Sequence, residues 1–353
     1  LPVSNNYSRT KVTGRMLAQM LGVSPATISN ALNGHDDRVS PETKRRILEA
    51  AKRYGYLPPQ RAKQARSASG VIAFVVLSEN LNDWFLGNLS GIADICRKRG
   101  VALMQMLFPA WDREYFEEVL QRTNPMGALY ICTPGHPMIE GFARFGIPAV
   151  AIDCYDDKTQ WNAVHLDNYG GAYDATSYLL ESGHRQIGLL SGGDEWPSGV
   201  YRKRGFIQAL KDWGIPFDQR LVYNGHFTQF GGYLGAKSLL ETNPSLSAIF
   251  AVSDEMALGA IRALYDLGLK VPDDVSVVGF DGICVGQNLD PPLTTVETDP
   301  YAVGTNACAM LLGMLESHSE HAAKVQVGVK LVVRGTTRSL ERVSTSQGGD
   351  ESS

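Results

Sequence analysis

The amino-acid sequence predicts a small all-α segment at the N-terminus followed by a large α/β region. Residues 13–33 carry two short helical patterns joined by a tight turn, and from residue 70 onward short apolar runs alternate with amphipathic helical patterns. Charge changes at the same boundary: residues 1–66 hold twelve Lys/Arg and four Asp/Glu, a balance of +8, whereas the whole chain carries −4. The remaining residues therefore carry about −12, and a chain of 353 residues is long enough for two or three domains.

The first two helices have local signals at both ends. Thr13 is placed to cap the first helix through its hydroxyl, and Gly22 suits the left-handed residue just past its end. Ser24 is a favourable cap for the second helix, and Pro25 fits its first position. The positions expected to face inward are Leu17, Ala18, Leu21, Ile28 and Leu32, which leaves Ala26, Thr27, Ser29, Asn30 and Asn33 outside. Because this helix-turn-helix pattern lies on a basic segment, it indicates DNA binding; a plain helical hairpin with a polar surface is the alternative.

A third helix and a short basic segment are predicted next. Ser40 and Pro41 begin the helix, and Gly55 ends it. Residues 60–66 have a helical pattern but are shorter than the ~12–15 residues that an isolated helix needs. This segment is interpreted either as a helix that forms on contact with a partner or as a simple linker.

The region after residue 70 has the alternation that is typical of an α/β fold. Strands are predicted at 71–77, 101–107, 127–132, 148–153, 186–191, 221–224, 247–253 and 275–280, and helices at 87–99, 170–182, 201–213, 231–242 and 254–267. Continuously apolar strands between helices predict parallel sheets covered on both faces, here two sets of about five strands. Ligands of such sheets bind in the crevice at the carboxyl ends of the strands.

The composition argues against several classes of protein. The five cysteines are scattered without a Cys-x-x-Cys pair, so neither a zinc site nor a disulfide framework is expected. No apolar run reaches the ~18 residues of a membrane span, and the first residues lack the apolar core of a signal peptide. These features predict a soluble cytoplasmic protein with no cofactor and no membrane partner.

Signals for an enzyme are weak. Residues 190–194, Leu-Ser-Gly-Gly-Asp, are glycine-rich after a predicted strand but lack the Lys of a phosphate-binding loop. The histidines at 136, 165, 184 and 226 stand singly and are expected to be structural or on the surface. Asp153, Asp167 and Asp281 lie at strand ends, where a carboxylate suits hydroxyl binding as well as acid–base chemistry.

Short sequence motifs occur in a fixed order in both parts of the chain. They are Leu-Ala-Gln-Met-Leu-Gly-Val-Ser-Pro-Ala-Thr-Ile-Ser-Asn-Ala-Leu-Asn at 17–33, Val-Ser-Pro-Glu-Thr at 39–43, Gly-Tyr-Leu-Pro at 55–58, Asp-Asn-Tyr-Gly-Gly-Ala at 167–172, Ser-Gly-His-Arg-Gln-Ile-Gly at 182–188, Asp-Glu-Met-Ala-Leu-Gly-Ala at 254–260, Val-Val-Gly-Phe-Asp at 277–281, Pro-Pro-Leu-Thr-Thr-Val at 291–296 and Leu-Val-Val-Arg at 331–334. With these motifs in order over about residues 12–340, the chain resembles the lac-repressor (LacI/GalR) family of transcription regulators.

The resemblance implies an N-terminal all-α helix-turn-helix DNA-binding domain and a periplasmic-binding-protein-like α/β core of two Rossmann-like subdomains. It places the DNA-binding domain at 10–58, a hinge helix or linker at 59–69, the effector-binding core at 70–340 and a disordered tail at 341–353. The N-subdomain is expected at about 70–165 and 297–327, and the C-subdomain at about 166–296 and 328–340. The resemblance further implies a homodimer on a pseudo-palindromic double-stranded DNA operator.

The DNA contacts implied by the resemblance lie on the second helix and around it. Pro25, Ala26 and Asn30 match positions that read base edges in the major groove. Because Pro25 and Ala26 have no hydrogen-bonding side chain, Asn30 is expected to carry most of the polar readout, and Asn pairs bidentately with adenine. Expected phosphate and positioning contacts are Thr13, Ser24, Thr27, Ser29 and Asn33. Arg38 matches another contact position, although the loop after Asn33 is one residue longer than in the lac repressor.

The hinge departs from the family pattern at one position. The family usually carries Leu nine residues after the Tyr of its Tyr-x-Pro turn, where that Leu wedges into the minor groove and kinks the duplex. Counting from Tyr56, this position is Ala65, and alanine is a poor wedge. We therefore expect operator bending to be weaker or differently achieved. Lys63 keeps the charge of the Arg that is frequent two residues earlier, and Arg61 of the same basic segment is also expected to contact DNA.

The effector contacts implied by the resemblance combine aromatic and charged side chains. Trp84 and Phe85 match positions where a ring stacks on a ligand, with core packing as the alternative. Arg202 and Asp281 match ligand-gripping positions for vicinal hydroxyls or a carboxylate, with a mutual salt bridge as the alternative. Phe227 matches an aromatic wall, and Ser253 matches a polar contact. Arginine, aspartate and aromatic rings together favour a sugar, while purine-binding relatives use the same positions.

The leading hypothesis is a ligand-responsive transcription factor that acts as a repressor. A purine- or nucleoside-responsive repressor of the same family is the first alternative. A sugar-binding receptor without DNA activity is disfavoured by the +8 N-terminal segment. An α/β sugar enzyme would need a catalytic pair or a metal site, and the sequence presents neither.

Overall fold

The computed structural model describes residues 13–33, 38–54, 56, 70–77, 82–154, 161–317 and 322–340. Its N-terminal part contains three helices: α1 (Gly14–Leu21), α2 (Pro25–Asn33) and α3 (Pro41–Tyr54). Two of the predicted caps are present, because Thr13 Oγ1 accepts a hydrogen bond from Met16 N (3.2 Å) and Ser24 Oγ accepts one from Thr27 N (3.0 Å). Gly22 has a φ of +67°, the left-handed conformation predicted for the end of α1.

The three helices enclose a small apolar core. Ser40 caps α3 by accepting a hydrogen bond from Thr43 N at 3.3 Å, and Arg46 on α3 donates to the carbonyl oxygen of Leu21 at 3.4 Å. The predicted helix-turn-helix is therefore confirmed. The predicted stop at Gly55 and the 60–66 segment lie outside the described residues. The buried side chains of this core are Leu17, Ala18, Ile28, Ala31, Leu32, Ile47, Ala50 and Ala51.

Two six-stranded sheets form the framework of the remaining described chain. The first sheet has the order β11-β5-β4-β3-β1-β2 with every pair parallel, and the second has the order β12-β10-β9-β8-β6-β7 with only β10 and β12 antiparallel. The strands are β1 (Val71–Val76), β2 (Ala102–Leu107), β3 (Gly127–Ile131), β4 (Ala149–Ile152), β5 (Ala163–Leu166), β6 (Ile187–Ser191), β7 (Val222–Asn224), β8 (Ala248–Ala251), β9 (Ser276–Asp281), β10 (Thr294–Glu297), β11 (Lys324–Val327) and β12 (Lys330–Val332).

Helices pack in pairs against these sheets. The helices are α4 (Asp83–Arg99), α5 (Arg113–Thr123), α6 (Pro137–Phe145), α7 (Asn168–Glu181), α8 (Pro197–Asp212), α9 (Gln229–Thr242), α10 (Asp254–Asp266), α11 (Cys284–Gln287) and α12 (Pro300–Ser317). On the first sheet, α4 pairs with α12 on one face, and α5 pairs with α6 on the other. On the second sheet, α7 pairs with α8 and α9 pairs with α10. Within the described ranges, no helix has the length and apolarity needed to cross a membrane.

The sheets have more strands than the sequence predicts. The apolar runs predict about five strands per sheet, whereas each sheet has six. The unpredicted strands β5, β10, β11 and β12 have only three or four residues each, and β11 and β12 are half-exposed edge strands without a continuous apolar run. Short strands of this kind are defined by pairing with distant segments, such as that of β11 with β5, which a local pattern does not contain.

The chain passes between the two sheets three times. It leaves the first sheet after β5, returns from the second sheet after β10, and leaves the first sheet again between β11 and β12. Val329, in the last crossing, packs against the apolar clusters of both sheets. We call the first sheet with helices α4, α5, α6 and α12 the N-subdomain, and the second sheet with helices α7–α10 the C-subdomain.

Two of the single histidines have structural contacts. His184 is buried and forms hydrogen bonds with Ser247 Oγ (2.9 Å) and with the carbonyl oxygen of Arg338 (3.1 Å), which fixes the segment after β12 to the C-subdomain. Burial lowers the pKa of His184, so its imidazole stays neutral at physiological pH. His136 caps α6 by accepting a hydrogen bond from Met138 N at 3.2 Å. The structural interpretation is therefore confirmed for both residues.

Candidate functional site

The predicted base-reading face of α2 is open to solvent at its N-terminal end. Ser24, Pro25, Ala26 and Ser29 are exposed, and Asn30 is half-buried. Phosphate and base contacts by a helix-turn-helix come from this end of the second helix. The side chains at the start of α2 that are expected to meet DNA are therefore accessible.

Several predicted DNA contacts also have local structural partners. Ser24 Oγ accepts from Thr27 N, and the hydroxyls of Ser24 and Thr27 lie 2.8 Å apart. Thr13 caps α1 and is exposed, as is Arg38. These hydroxyls therefore fix the ends of the helices whether or not DNA is bound. The side chain of Asn33 and residues Arg61, Lys63 and Ala65 lie outside the described residues.

Arg202 is at the centre of a buried polar cluster in the core. The side chain projects from α8 and is only 3% exposed. Its Nε donates to Asn168 Oδ1 at 2.8 Å, and its Nη1 donates to the carbonyl oxygen of Val252 at 2.5 Å and to Asp281 Oδ1 at 3.0 Å. The guanidinium also lies over the ring of Phe280, with its carbon 3.7 Å from the ring centroid. Arg202 is thus held by four groups from three different segments.

Asp281 ends β9 in a strained conformation beside this arginine. Its φ of +124° is rare for a residue with a side chain. Burial raises the pKa of Asp281, Arg202 opposes that shift and nearby Asp254 adds to it, which leaves the pKa at about 7. Asp254 is fixed separately: it accepts hydrogen bonds from Gly282 N and Ile283 N (2.8 Å each) and from Thr295 Oγ1 (2.5 Å).

A third carboxylate approaches the cluster from the N-subdomain. Asp153 follows β4 with a φ of +51°, and its Oδ1 accepts hydrogen bonds from Leu166 N (3.3 Å) and Asn168 Nδ2 (3.0 Å). Burial raises the pKa of Asp153, while Arg202 opposes that shift. The sequence identifies Asp153 only as a carboxylate at a strand end and does not identify Asn168. The signal for Asn168 is present in the Asp-Asn-Tyr-Gly motif, but that motif also reads as an ordinary helix start.

The cluster presents acceptors for hydroxyl groups. Asp281 bonds to Arg202, Asp153 is linked to it through Asn168, and Asp254 is near enough to raise the pKa of Asp281, so carboxyl oxygens outnumber the single guanidinium and the site is rich in hydrogen-bond acceptors. Such a site suits a ligand with several hydroxyl groups. Among the described residues, no group of three or more His, Cys, Asp or Glu side chains is arranged to hold a metal ion.

The aromatic residues predicted from the first core strand lie at the start of α4. Trp84 and Phe85 are half-buried, with ring centroids 5.3 Å apart in an edge-to-face arrangement, and both pack on an apolar cluster of the N-subdomain. Trp196, which precedes α8, packs on the same cluster, and Tyr201 of α8 packs on the other N-subdomain cluster. The helix that carries Arg202 therefore contacts both subdomains. Trp196 is not among the residues predicted from the sequence, although an aromatic residue between a glycine-rich turn and Pro197 is a visible signal.

The remaining predicted effector contacts lie at strand ends of the C-subdomain. Phe227 has a φ of +56° and packs its ring against Gly192, where an added Cβ would collide with the ring. Ser253 is 3% exposed and caps α10 by accepting a hydrogen bond from Met256 N at 3.3 Å. Both alternatives left open by the sequence have support in this structure, because Arg202 and Asp281 form a salt bridge and Trp84 and Phe85 contribute to core packing.

Comparisons with known proteins match both parts of the chain. The family model described as bacterial regulatory proteins, lacI family, matches residues 17–59, and the model described as a periplasmic binding protein-like domain matches residues 176–337. The HTH-type transcriptional repressor CytR of Escherichia coli (strain K12) is 31% identical over 335 residues, which cover 94% of this chain and 98% of CytR.

Two solved structures show the same overall fold. The complex of the transcriptional regulator CelR with cellobiose matches with a TM-score of 0.73 and 29% identity, over 92% of this chain and 99% of that one. The lac repressor dimer bound to operator and the anti-inducer ONPF matches with a TM-score of 0.70 and 24% identity, over 93% of this chain and 100% of that one.

Proposed function

Because the chain belongs to the LacI family of bacterial transcriptional regulators, we propose that it represses transcription by binding a pseudo-palindromic operator as a homodimer. Membership of this family makes the chain a DNA-binding regulator and not an enzyme. The observation that carries the operator proposal is the open N-terminal end of α2, on a segment with a charge of +8. The positive charge supplies phosphate attraction, and the acidic remainder of the chain should repel DNA.

Sequence readout is assigned mainly to Asn30. Pro25 and Ala26 offer only apolar contacts, whereas the Asn30 amide has the donor and acceptor that pair with adenine. Ser24, Thr27 and Ser29 position α2 on the backbone, and Arg61 and Lys63 add phosphate contacts from the hinge. A chain that works on operators is expected in the cytoplasm.

The effector proposal is a sugar in the cleft between the subdomains. The buried carboxylates and Arg202 offer acceptors and donors for vicinal hydroxyls, and Trp84, Phe85 and Phe227 offer faces for the apolar side of a sugar ring. A relative of the same fold, CelR, has been solved with cellobiose. In the proposed division, the effector-binding core occupies 70–340, with the DNA-binding domain at 10–58 and the hinge at 59–69.

The operator proposal is tested by selecting bound duplexes from a random DNA pool with the full chain at physiological salt. We expect an enriched palindrome, because a two-fold dimer reads two equivalent half-sites. Asn30→Ala is expected to relax the preference at one position per half-site by about 1–3 kcal/mol, and Ser29→Ala serves as the matched variant on the same helix.

The selection is repeated with a mixture of sugars and purines. A palindrome that appears only with the mixture would identify a corepressor, and one that is lost would identify an inducer. No enriched motif under either condition would contradict the proposal. A response to the purines alone would replace the sugar by the purine alternative.

A further inference from the structure

Asn168 forms two hydrogen bonds with residues of opposite charge. Its Nδ2 donates to Asp153 Oδ1 at 3.0 Å, and its Oδ1 accepts from Arg202 Nε at 2.8 Å. The side chain has no exposed surface. With the further bond from Arg202 to Asp281, a continuous chain of hydrogen bonds runs from Asp153 through one amide and one guanidinium to Asp281.

This chain of hydrogen bonds joins the two subdomains. Asp153 follows β4 of the first sheet, whereas Arg202 and Asp281 belong to α8 and β9 of the second. Asn168 is the first residue of α7, directly after the chain leaves β5 for the C-subdomain. The amide therefore lies at one of the three crossings, where a change in subdomain arrangement alters the distance between its two partners.

An amide is the side chain that fits both partners. Its NH2 group faces a carboxylate and its oxygen faces a guanidinium, so each end meets the complementary charge. Aspartate at this position would keep the acceptor for Arg202 but place two carboxylates next to each other. An apolar residue would remove one buried hydrogen-bond partner from each of Asp153 and Arg202.

We propose that Asn168 is a positioning residue that makes the orientation of Arg202 depend on Asp153, and thereby links the effector cleft to the arrangement of the two subdomains. The link to an effector rests on the proposed function above. When a ligand engages Arg202, the guanidinium shifts relative to Asn168, and the amide transmits that shift to the N-subdomain. A ligand that alters this contact favours one subdomain arrangement over the other.

The first test exchanges the side chains of Asp153 and Asn168, which form one of the two hydrogen bonds. Asn168→Asp creates two adjacent carboxylates, of which one must have a raised pKa. The double variant Asp153→Asn/Asn168→Asp restores a donor facing an acceptor between these two side chains and keeps the number of carboxylates, but it gives up the bond from Leu166 N, which in the wild type reaches the same Oδ1. Thr176→Val is the matched control, since Thr176 is equally buried on α7 and its hydroxyl bonds only to Ala172 of the same helix.

The first readout is thermal stability between pH 5.5 and pH 8. The melting temperatures of wild type and Thr176→Val should depend on pH in the same way. The melting temperature of Asn168→Asp should fall by several degrees more than that of wild type as the pH rises. The double variant should recover the wild-type dependence of the melting temperature on pH, offset to lower temperature by the lost bond from Leu166 N. The other charged groups facing Asp153 are Arg202, His165 and Asp281, and they are the same in all four proteins. Asp153→Asn alone is measured as a fifth protein, and a double variant that combines the losses of Asp153→Asn and Asn168→Asp would overturn the proposed contact.

The second readout is operator binding with and without cellobiose, ribose and adenosine. In wild type, an active compound should change operator affinity about fivefold or more, a usual coupling between sites. Asn168→Asp should reduce that change to less than about twofold, and the double variant should restore it. A restored pH profile without a restored response would overturn the link to the effector.

If none of these three compounds changes the operator affinity of the wild type, the result contradicts the proposed sugar effector. The role of Asn168 is then tested on the ligand-free protein. In that case Asn168→Asp should change the operator affinity of the ligand-free protein about fivefold, and the double variant should reverse the change. Equal operator affinities of Asn168→Asp and Thr176→Val would then refute the positioning role.

Discussion

The central carbon of the Arg202 guanidinium lies over the ring of Phe280, 3.7 Å from its centroid. Phe280 is fully buried in the C-subdomain core and directly precedes Asp281, the ionic partner of Arg202. One strand end therefore supplies both an aromatic face and a carboxylate to the same cation. This arrangement holds the guanidinium in one orientation within the buried cluster.

Phe280→Leu is expected to destabilise the core and weaken the effector response. The change removes the aromatic face and leaves a small void, for a loss of about 1–3 kcal/mol in the free energy of unfolding. Urea unfolding measures the first effect, and operator release by the active sugar measures the second. The matched control is Phe250→Leu, which removes a buried ring of the same cluster that stacks on Phe206. Equal loss of response in both variants would mean that the Arg202 contact has no special role.

Arg202→Ala is expected to abolish the effector response while leaving operator binding intact. The substitution also removes the partners of Asp281 and of the Val252 carbonyl, so a stability loss of about 3–5 kcal/mol is expected. Lys211→Ala, at an exposed position of the same helix, is the control. Gel-shift titrations with and without effector test this prediction, and an unchanged effector titration would remove Arg202 from the site.

Asp281→Asn is expected to flatten the dependence of stability on pH. Burial raises the pKa of Asp281 from 3.8 to about 7, so the folded state retains a proton that the unfolded state releases. This group therefore lowers the free energy of unfolding as the pH rises from about 4 to about 7, and it contributes no further change above that range. Melting temperatures at pH 4.5, 6 and 7.5 provide the comparison. A variant with a steeper decline than wild type would show that the sign of this shift is wrong.

Ala65→Leu is expected to tighten binding to an operator with a flexible central step. Leucine is a better wedge for the minor groove than alanine, and a pyrimidine–purine step is readily kinked. Gel shifts with operators that differ only at the central step measure the effect, with Ala62→Leu as a control in the same segment. If Ala65→Leu gains no affinity, the hinge of this chain contacts DNA in another way.

Local features of the fold follow directly from the sequence. The caps at Thr13 and Ser24, the left-handed Gly22 and the long apolar strands each depend on neighbouring residues, so their patterns contain the needed information. The edge strand β11 depends on its pairing with β5, from which it is separated by about 160 residues, and no local pattern encodes that pairing.

The candidate site is predictable only in part for the same reason. Arg202 and Asp281 are found through motifs, whereas the contacts of Asn168 with Asp153 and Arg202 are properties of the folded arrangement. From the sequence, a single residue such as Asp153 can be recognised as a carboxylate at a strand end that suits hydroxyl binding. Their mutual distances become known when the crossings between the sheets are known.

The position of β11 and α12 late in the chain has a consequence for synthesis on the ribosome. One of the two helices on one face of the first sheet begins at residue 300, and the strand that completes its edge ends at residue 327. While translation proceeds, the nascent N-subdomain therefore exposes part of that apolar face, including Val150 on β4, which packs in the same cluster as α12. The second sheet is likewise incomplete until β12 has been synthesised. Both subdomains therefore reach their native packing only near the end of translation. A premature stop before residue 300 would therefore be expected to release a product prone to aggregation.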